Sequence, residues 1–470
     1  MKNKLLNYNN IIIVLYLVIV LIAFYFHEPW FDEANAWLIS RDLGLWGIIK
    51  QMSFEGHSCF YFFILKLLIV FGMSYKYGGL LSIFISLIGV IIFVYKSPFN
   101  RIINTLFVLS SPFIFFCPIF IRPYSFTMLF IILICCLYKD RYKHPYIFGL
   151  LLALLFNTHL LTTPIIGSIV LIEIYDYFKD KKYFKERFII SLLAFIGGLL
   201  FALQIVKAFI DRPDVTGSLN IIDNFVSAVY SVTFILEGFY SYSLICFICF
   251  FVFIYLVILL KNNKKVLFII IFNSLFYFLF SLFFYPIYDS KSIYILSYIL
   301  LGLWLYEEEV GFNRKQIILL NILLIFGIIG SFDHIREDII DNYSANVEIV
   351  NFLEKDKIDD ANILTLDYYS DIVLIADDKY KFTSYAGDSL YTYGLYKYEN
   401  LTNNFKDYIL NNDFDYVIVD YPLRYGKDDI KELEEDGYLK EVFISYSIKR
   451  DRIVYKVMKG KKCVIIVESF

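Results

Sequence analysis

Long apolar runs dominate the first 332 residues. Eleven of them, near 10–26, 78–95, 102–118, 124–138, 145–159, 160–178, 188–206, 240–260, 266–284, 292–305 and 316–332, reach or approach the length needed to cross roughly 30 Å of hydrocarbon. One further run, 59–73 (CFYFFILKLLIVFGM), is shorter and is interrupted by Lys66. Beyond Phe332 the pattern changes to short alternations. There the spacing of Ala345, Ile349, Val350 and Leu353 predicts a helix over Ala345–Lys355. Strands are predicted at Ile363–Leu366, Val373–Ile375, Tyr416–Val419, Val442–Ser445, Ile453–Val457 and Cys463–Val467. The expected architecture is a polytopic α-helical membrane domain over 1–332, with about eleven transmembrane helices, followed by a small extracytoplasmic α/β domain over 333–470.

Whether 59–73 crosses decides the side of every later loop, and the basic residues arbitrate. With 59–73 not taken as a span, the segments on the N-terminal side of the membrane carry 17 Lys and Arg, and those on the far side carry 8, Lys66 included. Making it a span would reverse the bias for every later loop. It is therefore read as an interfacial or re-entrant helix with Lys66 reaching the headgroups. The N-terminus is then cytoplasmic and the tail extracytoplasmic, in the plasma membrane. Lys2 and Lys4 precede the first run and no small-residue cleavage site follows, so that run is expected to stay as an uncleaved span.

Composition sharpens this picture. Of 470 residues, 59% are hydrophobic, 20% aromatic and 19% charged, more apolar side chain than a soluble chain of this length hides. Disorder, nucleic-acid binding and a disulfide scaffold are excluded on the same grounds. Charge is uneven: residues 333–470 hold 18 Lys and Arg against 28 Asp and Glu, and residues 1–332 hold 25 against 18. An acidic tail argues against direct binding of anionic lipid. The cysteines have no metal-ligand spacing, and six of the seven lie in apolar runs as small core residues. The tail has neither a phosphate loop nor a nucleophile elbow.

Ionisable residues beside an apolar slab are expensive and mark function when they converge. On this topology several fall on the outer face. The first outer loop (HEPWFDEANAWLISRDLGLWGIIKQMSFEGH) carries Glu28, Asp32, Glu33, Asp42 and Glu55 among Trp30, Trp37 and Trp46. Arg122, in IRPYSF, His159, in NTHLLTTP, Arg212, in DRPDVTG, and the segment Tyr285–Lys291 emerge on the same side. Each has a plainer reading. Asp32 and Glu33 suit the start of a helix over Ala34–Ser40; Arg41 and Asp42 suit a local surface pair. Glu55 and His57 suit a cap for the interfacial helix, His27 a membrane anchor, His159 helix packing, and His144 and His334 the surface.

The functional reading joins a carboxylate to a cation. A carboxylate takes a proton from an attacking hydroxyl and supports an oxocarbenium-like carbon. An arginine fork holds the charge growing on a departing phosphate. Asp32 and Arg122 are the simplest such pair. At these residues the sequence resembles the GT-C glycosyltransferases, integral-membrane enzymes that use polyprenyl-phosphate-linked sugars. The likeness is to the bacterial branch related to protein mannosyltransferases and the lipid A aminoarabinose transferase. It runs over about 10–210 and is carried by EPWFDEANAW, EGHSCFYFFILKLL, the Arg-Pro-Tyr at Arg122 and the Thr-His at His159.

The resemblance implies catalysis by the first-loop acid, Asp32 with Glu33 beside it. It implies a lipid-phosphate ligand at Arg122; His57, Glu55 and His159 are read beside these as residues lining the site. The second outer loop lacks the acidic metal cluster of the oligosaccharyltransferase branch, so no metal or other cofactor is expected. The expected function is an inverting transfer of sugar from a polyprenyl-phosphate donor to an extracytoplasmic acceptor: protein, lipid or cell-surface glycan. The rival readings are a lipid-linked glycan flippase or a scaffold for surface-polysaccharide assembly. A flippase calls for polar groups at mid-span positions, whereas here they gather at one face.

Overall fold

The computed structural model describes residues 2–55, 57–211, 243–284, 291–340, 344–355, 361–365, 370–376, 379–385, 405–421, 427–446 and 451–458, with single positions 225, 228, 229 and 287. Arg212 and the predicted strand Cys463–Val467 lie outside the described residues. The chain divides into two compact units. The first is Met1–Tyr25 with Leu43–Arg336, and the second is Phe26–Asp42 with Glu337–Phe470. The second unit thus takes in a piece of the segment 27–77 as well as the tail.

The first unit is helical: α1 (Lys2–Phe26), then, after α2 (Phe31–Asp42) of the second unit, α3 (Leu45–Glu55), α4 (Cys59–Val70), α5 (Gly79–Lys96), α6 (Arg101–Val108), α7 (Cys117–Ile119), α8 (Tyr124–Leu137), α9 (Pro145–Phe156), α10 (Thr163–Lys179), α11 (Phe184–Asp211), α12 (Ser243–Leu259), α13 (Lys264–Phe283), α14 (Ser292–Glu309) and α15 (Arg314–Ile340). Among the described residues six helices are long and apolar enough to cross a bilayer. They become seven if Arg101–Val108 and Pro112–Ile119, bent by 54° at Pro112, form one span. The chain is a multi-pass membrane protein.

Contacts between distant loops follow the alternation that loop charge predicts. At one end of this unit Tyr8 meets Thr105 at 3.0 Å, Asn10 accepts from Tyr95, and Phe99 stacks on Phe312. At that end Lys139 pairs with Glu308, Lys265 with Asp176, and Arg141 with buried Glu173. At the other end Phe24 lies against Gly79, so α5 starts where α1 stops, and α5 returns to Asn9, which donates to Val94 O. The chain between α1 and α5 therefore leaves and re-enters at the same end, and α4 makes no net crossing. Ser58 caps α4, its hydroxyl accepting from Phe60 N–H and donating to Asn157 Oδ1, each at 3.1 Å. Glu55 and His57 are thereby relieved of the capping role.

Close helix approach depends on small residues where lipid offers no hydrophobic drive. Ala153 on α9 faces Gly197 on α11, where a β-carbon would lie 2.5 Å from Ala153 Cα, and Gly149, one turn earlier on α9, faces Ile190 and Leu193.

The second unit holds α2 and the tail: α16 (Asn346–Lys355), β1 (Asn362–Thr365), α17 (Ser370–Ala376), β2 (Lys381–Ser384), α18 (Phe405–Asn411), β3 (Tyr416–Tyr421), α19 (Lys427–Glu435), β4 (Leu439–Ser445) and β5 (Asp451–Val457). The sheet order is β2-β1-β3-β5-β4, with β1 parallel to β2 and β3, and β5 antiparallel to β3 and β4. Alternate residues of β3 point to opposite faces. Val417 and Val419 pack with Phe405, Ile409, Ile430 and Leu433, while Tyr416 and Ile418 pack with Ile349, Leu353 and Ile372. Both faces are covered, which explains the unbroken apolar run of this strand.

One predicted strand is a helix. Val373–Ile375 lies in α17, where Ile372, Val373 and Ala376 are buried at helical spacing. A three-residue apolar run fits either period, and the neighbouring residues decide it. Helix α17 packs against α2 within this unit.

Candidate active site

The sequence-predicted site residues divide between the two units. In the first, Arg122 sits just before α8, preceding the Pro123 that starts the helix, and is buried. Its Nη2 donates to His57 Nε2 at 2.8 Å. A guanidinium only donates, so that nitrogen accepts and the His57 ring is neutral, with its proton on Nδ1. The His57 and His159 rings lie 5.0 Å apart, and His159 stacks on Tyr294 at 4.5 Å. His159 Nδ1 accepts from Leu161 N–H at 3.1 Å, capping a short 3-10 turn. Burial, and then the charges of Lys291 and Arg122, hold the His159 imidazole well below the usual histidine range.

Lys291 completes the cluster from the far side. Its Nζ donates to Tyr124 Oη at 3.0 Å, and Tyr124 meets Tyr294 edge-on at 6.1 Å. Two cations, two neutral imidazoles and two phenols thus converge from the starts of α4, α8 and α14 and the turn before α10. The buried hydroxyls of Tyr294 and Ser125 find no hydrogen-bond partner among the described residues. Buried orphan hydroxyls beside paired cations suit an anion with several acceptor oxygens. Glu55 is half-buried on α3 and accepts from Gln51 at 3.0 Å. His334, expected at the surface, stacks on Phe115 at 5.5 Å and is half-buried, whereas His144 is exposed.

In the second unit Asp32 and Glu33 occupy the first turn of α2, where a negative charge suits the helix dipole. Their environments differ. Asp32 is half-buried, whereas Glu33 is fully buried and already employed. Glu33 Oε1 accepts from Trp30 N–H at 3.4 Å, half of a capping box, and from His27 Nε2 at 2.9 Å. His27, expected to anchor the membrane interface, places Nδ1 2.9 Å from Asp338 Oδ2. Burial opposes charge on His27, but the Asp338 and Glu33 carboxylates outweigh it and raise its pKa to about 10. Glu28 accepts from Ser344 Oγ at 3.3 Å, and burial lifts its carboxyl to about 7. Arg41 and Asp42 form the expected exposed pair at 2.6 Å. Among the described residues no cluster of three or more His, Cys, Asp or Glu has the geometry of a metal site.

Two solved structures share this architecture. ArnT from Cupriavidus metallidurans, in a crystal structure bound to undecaprenyl phosphate, matches with a TM-score of 0.54 at 8% identity, over 94% of this chain and 97% of that one. The same protein in the apo state matches with a TM-score of 0.51 at 11% identity, with the same coverage. The fold resembles that of ArnT. The match to ArnT is long enough to take in the helical part and the sheet domain together, and at these identities it is a likeness of fold. No protein-family model matches the chain, and no curated protein matches it in sequence.

Sequence reasoning had singled out Arg122, His57 and His159 individually; the structure brings them together. It had no means to find Tyr294, an unremarked residue of an apolar run. Lys291 carried one signal, as the sole basic residue of the segment 285–291.

Proposed function

We propose that this protein is a membrane glycosyltransferase that takes sugar from a polyprenyl-phosphate carrier. The observation carrying this reading is the buried Arg122–His57–His159–Tyr294–Tyr124–Lys291 cluster, in a fold resembling that of ArnT, a protein crystallised with undecaprenyl phosphate. Arg122 and Lys291 hold the phosphate as its charge grows. Neutral His57 and His159 leave that charge uncontested and line the space beside it. Asp32, more accessible than Glu33, takes the proton of the acceptor hydroxyl as that oxygen attacks the anomeric carbon. The carbon–oxygen bond to phosphate breaks in the same displacement, inverting the configuration. With two cations at the leaving group, the reaction on this reading needs no metal and proceeds in the presence of EDTA. The acceptor is an extracytoplasmic protein, lipid or glycan.

The test is mass spectrometry of membrane lipids and surface glycans in cells lacking the protein, complemented with wild type or Asp32→Asn. At equal protein levels the Asn variant should leave a polyprenyl-phosphate sugar accumulated and one glycan short of a residue. Identical profiles for the two would remove Asp32 from the reaction.

A further inference from the structure

Within the second unit the acidic first-loop helix is tied to the tail by two buried polar connections. In the first, both nitrogens of the His27 ring face carboxylate oxygens, Glu33 Oε1 and Asp338 Oδ2, each at 2.9 Å. Ionised carboxylates only accept, so both ring nitrogens donate and the ring is an imidazolium. The carboxylates occupy opposite edges of the ring, an ion-pair chain and not a ligand set. The three side chains are 5% exposed at His27 and 0% at both acids. In the second, Ser344 joins Glu28 to Asn346, Asn346 meets Arg452 on β5, and Arg452 Nε donates to Asp420 on β3 at 2.8 Å.

The first chain ends at the catalytic candidate's neighbour. Trp30 O accepts from Glu33 N–H and Ala34 N–H, both at 3.1 Å, while the Glu33 carboxylate returns to Trp30 N–H. Glu33 therefore fixes the turn on which Asp32 stands, and His27 fixes Glu33. We propose that His27 is a positioning residue of sugar transfer, set by the C-terminal domain through Asp338, which holds Glu33 and with it the first turn of α2 that presents Asp32. This rests on the reading of Asp32 as base. It gives the tail domain a share in turnover, and it explains why Glu33 sits beside the base without being one. Misplacement of a reacting group by about 1 Å costs roughly a hundredfold in rate, so a tie that sets this turn is felt kinetically.

Among the described residues the charged groups facing His27 are Glu33 from α2 and Asp338 from α15, with Glu28 and Glu348 within reach of one another nearby. Loss of either main partner lets the imidazolium give up its proton at lower pH. The measurement is consumption, by purified full-length enzyme, of the polyprenyl-phosphate sugar that accumulates in membranes of deletion cells, from pH 6 to 10. Hydrogen exchange of Phe31–Asp42 is followed on the same samples. Asp338→Asn should lose rate relative to wild type by about tenfold or more between pH 7 and 9, and Asp338→Glu should restore the wild-type profile.

A ratio of Asp338→Asn to wild type that stays constant with pH overturns the proposal, as does a loss of α2 protection with no change in rate. Should Asp338→Asn fail to accumulate, His27→Gln decides. It should be slower throughout and lack the alkaline fall of the wild type; a wild-type profile there overturns the proposal. Asp32→Asn in the same membranes separates the two readings. If it consumes the lipid normally, the base assignment fails. If it is inactive while the His27 and Asp338 variants keep the wild-type profile, the base assignment stands and the positioning role falls.

Discussion

At the scale of single residues, the proposed phosphate site would differ from a packed polar core in its buried hydroxyls. The Tyr294 and Ser125 hydroxyls are buried without a partner among the described residues. A buried unsatisfied hydroxyl costs about 1–3 kcal/mol unless a ligand answers it. Tyr294→Phe should therefore raise the stability of the ligand-free protein by about 1 kcal/mol while weakening donor binding, seen as a higher melting temperature and a higher donor KM. Arg122→Lys keeps the charge but loses the planar fork. It should raise donor KM about tenfold, equivalent to about 1.4 kcal/mol, with a smaller effect on kcat, in steady-state kinetics on the accumulated lipid.

Sequence alone marked Arg122 because a guanidinium in a short loop between apolar runs is expensive. It placed Asp32 ahead of Glu33 as the base, and burial sets the two further apart, with Asp32 half-buried and Glu33 fully buried. Asp32→Asn, which should abolish transfer while leaving the fold intact, is the prediction on which that ranking rests; lipid and glycan mass spectrometry reads it directly.

At the scale of elements, local pattern was enough where one physical period dominated. The helix over Asn346–Lys355 and the strands at 362–365, 416–421, 439–445 and 451–457 lie where apolar spacing predicted them. The pattern misled at Val373–Ile375 and was silent on α18, α19 and β2, each too short or too polar to carry a period. Loop charge read α4 as making no crossing, a question hydropathy left open, and the contacts of α1 with both ends of α5 agree with that reading. Packing partners were not legible in the same way. Ala153 is a small residue whose meaning depends on Gly197, more than forty residues on. Gly197→Leu should destabilise the α9–α11 pair by about 1–3 kcal/mol or more, because Ala153 backbone stands where the new side chain begins. Thermal unfolding in detergent checks it, with Gly167→Leu, where a β-carbon meets nothing within 4 Å, as the control.

At the scale of the whole molecule, the compact units are not the units of the sequence. Charge and hydropathy divide the chain once, near residue 332, because they register solvent and not contact. The second unit instead joins Phe26–Asp42 to Glu337–Phe470, and no spacing rule relates His27 to Asp338. The tie has a signature in stability. His27 has a folded pKa of about 10, above its free value of 6.5, so its contribution is fully present below the free value. It is lost as pH rises through the folded one. The melting temperature of the full chain should therefore fall between about pH 6.5 and 10, and in His27→Gln that decline should be reduced, as scanning calorimetry of the two proteins would register.

The separation of His27 from Asp338 also sets an order of events during synthesis. The ribosome makes the two halves of this ion pair 311 residues apart, an interval of roughly 15–60 s at typical elongation rates. For all that time the acidic turn of α2 stands without its partner, while the intervening membrane helices are inserted. Asp338 is made after those helices, so a chain that stops before it leaves His27 and Glu33, and the first turn of α2, without this tie.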